Sequence, residues 1–251
     1  MDWNAAIDAY CERLQPHLWA EPLNAVSNLA FWLAAWLVWR QRRLGRVGAT
    51  ERSGEQVTAR LARPDINALL IALVLIGAGS LAFHTFATVW AQTLDVLFIA
   101  IYLHFYLAVY AHRALGLRWR LAWLGIPAFA LLILAFAPLW QGLLAQAGGA
   151  LQADANAASG YAAAWTVLLL LLAHSTVKRL PSAVPLALAA ACFAPSLVLR
   201  QFDLPLCEIW PLGTHFAWHL LNAATLALTS WAMLQLADEP ALSSDPASAA
   251  N

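Results

Sequence analysis

Two histidines four residues apart, in His215-Phe216-Ala217-Trp218-His219, stand in the last strongly apolar stretch of the chain. On a helix, positions i and i+4 share a face, so both imidazoles can reach one metal ion. Ser80 and His84 repeat that spacing near the end of an earlier apolar stretch, and Asp95 stands near the start of the next. Ionisable side chains within hydrocarbon are costly and mark functional sites by default. Three imidazoles, two from one helix and one from another, form a catalytic zinc set that leaves the fourth tetrahedral position open for water. Zinc would bring that water's pKa toward neutrality. Asp95 would accept its proton and pass it to a leaving group, and Ser80 would donate a hydrogen bond to the oxyanion forming on a carbonyl. The chemistry implied is metal-dependent hydrolysis of an amide or ester that arrives from a bilayer.

The elements that must position these groups are read from composition. Of 251 residues 62% are hydrophobic and only 11% charged, whereas a soluble domain carries roughly a quarter charged residues. Leucine- and alanine-rich runs near the length needed to cross hydrocarbon occupy 22–39, 67–87, 90–111, 121–138, 161–177, 183–199 and 211–236. The prediction is an all-α polytopic membrane protein, a seven-transmembrane helix bundle. It forms one integral domain: an outer segment 1–21, the bundle 22–236, and a disordered cytoplasmic tail 237–251 rich in Ala, Ser, Pro and Asp. Pro185 and Pro195 make the sixth span one of the two weakest. Residues 1–20 are polar and mixed, with no signal-peptide pattern.

Orientation follows from the basic residues. Arg40, Arg42, Arg43, Arg46, Arg52, Arg60 and Arg63 fill the first loop, Arg113, Arg118 and Arg120 the third, and Lys178 and Arg179 the fifth. With seven spans these lie on one side, leaving Arg13 and Arg200 opposite. The positive-inside rule makes that side cytoplasmic, with the N-terminus outside and the C-terminus inside. The setting expected is a bacterial cytoplasmic membrane. The zero net charge says nothing of nucleic acid and no basic patch on the outer face suggests it, so no nucleic acid is expected; no protein partner is indicated. The outer loop 141–160 is polar. Cys11 and Cys207 both fall on the outer side, where a disulfide is permitted; two unpaired thiols are the alternative. Cys192 lies within span six as a small core residue.

Depth ties the polar residues together. At 1.5 Å per helical residue, His84 and Ser80 lie roughly 5 and 10 Å inside the outer end of span two, and Asp95 roughly 7 Å inside span three. His215 and His219 lie roughly 6 and 12 Å inside span seven. Scattered structural polar groups have no reason to agree in this way. His104 and His174, toward the cytoplasmic ends of spans three and five, and His112 at a span end read as structural or interfacial; His17 has no assignment. Two other classes compete. A receptor with a structural zinc calls for a folded module outside the bundle, and a metal-ion or proton transporter calls for polar residues through both leaflets; the inner half here is comparatively bare.

Gly79-Ser80-x-x-Phe83-His84-Thr85, then Gln92-x-x-Asp95, then His215-x-x-Trp218-His219 resemble the alkaline ceramidase family, part of a seven-span superfamily with adiponectin-receptor and haemolysin III relatives. Tyr10-Cys11-Glu12, followed by Ala20-Glu21-Pro22-Leu23-Asn24-Ala25-Val26-Ser27-Asn28, looks ceramidase-like and is similar to bacterial members. The resemblance spans about residues 8 to 235. It implies hydrolysis of the N-acyl bond of ceramide, a membrane lipid substrate, with zinc on His84, His215 and His219, Asp95 activating water and Ser80 stabilising the oxyanion. It also implies a Cys11–Cys207 disulfide. Animal members bind calcium around the N-terminal motif, which makes Asp8, Glu12 and Glu21 the candidates for a weak calcium site. Here Ala9-Tyr10 replaces Asp-Trp, Leu14 replaces an asparagine, and Glu21 comes sooner, so hard oxygen ligands are missing. Val96-Leu97 also departs from the acidic-proline pattern after the aspartate. That leaves substrate preference open, with another N-acyl lipid as the alternative substrate.

Overall fold

The computed structural model describes residues 2–15, 18–47, 63–147 and 155–238. Most of the first basic loop, the centre of the 141–160 loop, His17 and the tail beyond Asp238 lie outside the described residues. The helices are α1 (Pro22–Ser27), α2 (Leu29–Val47), α3 (Pro64–Phe86), α4 (Val89–Arg113), α5 (Trp119–Ala122), α6 (Gly125–Ala147), α7 (Ala155–Val177), α8 (Ala183–Gln201) and α9 (His215–Asp238), with one 3₁₀ turn at Leu204–Leu206. Each expected span overlaps a helix of at least 19 residues. Among the described residues five helical stretches are long and apolar enough to cross a bilayer by length and composition: Pro64–Phe86, Val89–Arg113, Trp119–Phe136, Ala183–Gln201 and His215–Ala237. Tyr161–Val177 is a shorter apolar helix. The chain is an all-α polytopic membrane protein.

The first expected span is not one helix. The Ser27 hydroxyl and the Asn28 amide both donate to the Asn24 carbonyl, at 2.7 and 2.8 Å. Such side-chain bonds to backbone carbonyls compete with the helix ladder, and the chain turns at Asn28 before α2 begins. That helix then runs beyond the expected end at 39, through Arg40, Arg42 and Arg43. The guanidinium of Arg40 lies over Trp36 at 5.4 Å and that of Arg43 over Trp39 at 4.5 Å, interactions that hold a basic turn against an aromatic belt. α8 passes through Pro195 without ending.

α9 lies at the centre, packed on α8, α2 and α1, while α3 packs on α4, α2 and α1. Leu69, Leu73 and Ile76 of α3, Tyr102 of α4, Leu186 of α8 and Met233 of α9 are fully buried where these helices meet. The half of the bundle expected to be bare carries hydroxyls. Tyr102 bonds Thr229 and Ser230, and Tyr110 bonds His174 and Ser175. Each is satisfied by a neighbouring helix, which is how polar groups persist away from water. At that end Arg113 forms a 2.6 Å ion pair with Asp65, joining the last turn of α4 to the first of α3.

Segment 2–15 crosses the opposite end as an extended strap. Ile7 N–H donates to the Ala87 carbonyl at 2.7 Å, and Val89 N–H donates to the Ala5 carbonyl at 3.2 Å. Cys11 is disulfide-bonded to Cys207, with a Cα–Cα separation of 5.2 Å.

Close approach of α3 and α4 rests on Gly79. A Cβ there would meet the Leu94 carbonyl oxygen at 3.1 Å and the Asp95 amide nitrogen at 3.2 Å. Backbone cannot rotate away, so α4 would have to move and carry Asp95 off. We expect Gly79→Ala to cost about 1–3 kcal/mol, the usual range for overpacking. A lowered melting temperature of the detergent-solubilised protein checks this.

Candidate metal centre

His84, His215 and His219 converge as the sequence predicted. Their ligand atoms all lie within 4.8 Å of one another, and the three residues are 0–1% exposed. Donors on a tetrahedral zinc, at roughly 2.0–2.1 Å from the ion, stand somewhat closer together than that limit, a difference small rotations of the rings can close. His84 Nε2 and His215 Nδ1 are buried with no hydrogen-bond partner. Orphaned buried nitrogens are rare and need explaining, and a shared ion does so.

The hydrogen bonds fix which nitrogen of two rings faces the centre. Glu21 Oε2 lies 2.5 Å from His84 Nδ1, and Glu21 Oε1 accepts from Arg13 Nε at 2.6 Å. An ionised carboxylate only accepts, so Nδ1 carries the proton and the lone pair sits on Nε2. The Ser27 hydroxyl already donates to the Asn24 carbonyl, so its oxygen, 2.7 Å from His219 Nδ1, accepts from that ring. The His219 lone pair is therefore also on Nε2. Both rings are in the metal-binding tautomer, held as second partners hold ligand histidines in known sites. The His215 ring is clamped by stacking, with Tyr10 at 3.7 Å and Trp218 at 4.9 Å between centroids.

α9 starts at His215, four residues later than the expected span. Thr214 and His215 N–H groups donate to Asp203 Oδ1 at 2.6 and 2.9 Å, so a carboxylate from outside the helix caps its first turn. Gly213, at φ +65°, takes the left-handed turn before it, beside Asp203 and Cys11. His215 is thus the first helical residue and His219 lies one turn in, instead of the greater depths expected.

Asp95 and Ser80 join the cluster. The Ser80 hydroxyl is 3.4 Å from His219 Nε2. Asp95 Oδ1 has no hydrogen-bond partner. Asp95 further lines a cavity of about 480 Å³ bounded by the strap, α4, α6, α7 and α8. Tyr10, Phe83 and Trp218 line this cavity and also touch the imidazoles, Tyr10 and Trp218 stacking on His215 and Phe83 lying 5.4 Å from His84 between centroids. A narrower apolar space of about 80 Å³ shares Ile99, Leu103, Phe129, Tyr161 and Trp218 with it. His104, expected far from the cluster, lines the larger cavity with its Nδ1–H on the Ala100 carbonyl at 2.7 Å. His174 and His112 are structural, bonded to Tyr110 and the Leu117 carbonyl.

The expected calcium group does not assemble. Glu12 accepts the Leu23 and Asn24 N–H groups at 2.6 and 2.8 Å, capping α1. Glu21 faces His84 and Arg13, and Asp8 is exposed. Burial pushes the Glu12 carboxyl above its usual range against those two N–H groups. Burial also pushes Glu21 up, but the hydrogen bonds and charges of His84 and Arg13 outweigh it and hold this carboxyl below the usual range. Glu12 and Glu21 are thus both engaged by groups of the chain itself. The roles of Glu21, Ser27 and Asp203 were not foreseen; the only local signal was polar residues flanking the first and last apolar runs.

Glu21→Gln keeps the shape but leaves the His84 tautomer unspecified and Arg13 buried without its carboxylate. A roughly 10–100-fold loss of metal affinity, the usual cost of removing such a partner, should appear in competitive chelator titration, with ligand-free folding checked by circular dichroism. Comparison with known proteins finds no matching family model, curated protein or solved structure.

Proposed function

We propose that this chain is a zinc-dependent intramembrane amidohydrolase of the alkaline ceramidase type, crossing the membrane seven times and cleaving the N-acyl bond of ceramide or a similar lipid. The observation that carries the reading is the convergence of three buried imidazoles, with the Ser80 hydroxyl 3.4 Å from one of them and the Asp95 carboxylate on the wall of a cavity of about 480 Å³. Three neutral nitrogen donors suit zinc among the common ions. Bound by His84, His215 and His219, the ion would polarise the amide carbonyl and acidify water.

The chain's own groups supply the rest. Asp95 takes a proton from the attacking water as its oxygen bonds to the carbonyl carbon. The Ser80 hydroxyl donates to the developing oxyanion. Asp95 then delivers the proton to the amide nitrogen as the C–N bond breaks, giving a fatty acid and a free amine. The apolar walls formed by Ile99, Leu103 and Phe129 suit an acyl chain. The proposed orientation puts the site near the outer face, with the strap outside and the basic ends inside. A receptor role finds no sizeable module among the described residues, and a transport role would need charged groups through the far half, where hydroxyls bonded to their neighbours stand instead.

The test is fatty-acid release from a ceramide panel by purified protein, with zinc quantified. We expect chelator-sensitive release and about one zinc per chain. His215→Ala should lose metal and release together, and retained zinc at full occupancy would overturn the ligand assignment. Asp95→Asn should keep zinc while turnover falls at least about 100-fold, the general acid–base range; an active variant would remove Asp95 from the mechanism.

A further inference from the structure

Arg200, in the last turn of α8, lines the same cavity as Asp95 and Gln92. Its guanidinium stands 5.1 Å from the Tyr161 ring and 5.8 Å from the Trp218 ring, and its charge acts on Asp95. The Trp218 ring in turn stacks on His215. Two aromatic faces therefore hold a fixed positive charge at the polar end of the cavity, beside the proposed scissile bond. The remaining wall, including Val96, Ile99, Leu103 and Ile133, is apolar.

Ceramide offers only neutral hydroxyls on the amine side of its amide. A guanidinium gives little to them and loses hydration when a lipid fills the cavity. A carboxylate takes two of its N–H groups in parallel, in a geometry that an always-charged planar fork matches. Resting on the amide-hydrolase reading above, we propose that Arg200 forms an anion subsite that selects N-acyl lipids bearing an acidic group close to the amide nitrogen, of the N-acyl amino acid class. The acyl chain lies along Ile99 and Leu103, the carbonyl faces Ser80 and Asp95, and the acidic substituent meets Arg200. Specificity then comes from one charge on α8, while the hydrolytic groups stay on α3, α4 and α9.

The test separates binding from turnover. Purified wild-type protein with its metal is titrated with a non-hydrolysable pair in which CH₂ replaces the amide N–H, one member ending in a carboxylate and the other in a hydroxymethyl group. The free fatty acid of equal chain length is the third ligand. We expect the acidic member to bind at least about tenfold tighter than the alcohol, the scale of one charge-assisted contact. Arg200→Gln should abolish that preference while leaving the alcohol's affinity within about twofold, and Arg200→Lys should keep part of it. Equal affinities in the wild type, or equal weakening of both members by Arg200→Gln, would overturn the subsite and leave Arg200 as a structural partner of Asp95. An Arg200-dependent gain of the same size for the plain fatty acid would overturn it too, since the charge would then serve the released acyl carboxylate. Preference without lipid hydrolysis would sink the hydrolase reading and spare the subsite; hydrolysis without preference would do the reverse.

Discussion

The buried carboxylate of Asp203 is the constraint on which the site end depends. It accepts three backbone N–H groups from two distant parts of the chain: Cys11 at 3.1 Å on Oδ2, and Thr214 and His215 on Oδ1. A helix N-terminus exposes such donors and favours a negative charge. Asp203 therefore determines where α9 begins, and with it the position of His215. The same side chain fastens the strap, which brings Tyr10 onto the His215 ring. Cys207, four residues further on, ties the strap again through Cys11. Ligand, cover and helix start all refer back to one carboxylate.

α1 is only six residues long, yet it places the groups that orient the imidazoles. Glu21 stands immediately before it, its side chain turned to His84 and Arg13, and Asn24 and Ser27 follow at helical spacing. Its termination at Asn28 is part of that function, because the Asn24 carbonyl that takes the Ser27 proton is thereby withdrawn from the helix ladder. Ser27 is left as an acceptor for His219. Local hydrogen-bond competition thus sets a ring tautomer on the last helix.

What the sequence revealed and what it hid divide along chain distance. His215 and His219 could be read together because four residues on a helix share a face, and Ser80 with His84 for the same reason. Asp95 stood out because a carboxylate is conspicuous in an apolar run. The helices followed from run length, apart from the break at Asn28 and the late start of α9, where side chains from elsewhere compete with the backbone. Glu21 was a calcium candidate on the resemblance alone, and its actual partners could not be read from spacing. Those partners, Arg13 and His84, come from a loop and from another helix. Arg200 was counted only as an outer-side charge; its place on the cavity wall depends on how α8 packs against α7 and α9, which no spacing encodes.

The disulfide closes a span of 196 residues, and this has a consequence for how the chain is made. Cys11 is synthesised almost first and its partner only after α8 has been made. The intervening thiol, Cys192, lies within α8, away from the strap, and so does not compete. Glu21 and His84 can meet early, but the other two imidazoles are translated last. A ribosome stalled before α9 therefore holds a chain with one poised histidine and an unpaired thiol, unable to capture the metal. Closure of the strap coincides with arrival of His215 and His219, so the three-histidine group cannot assemble in an unfinished chain.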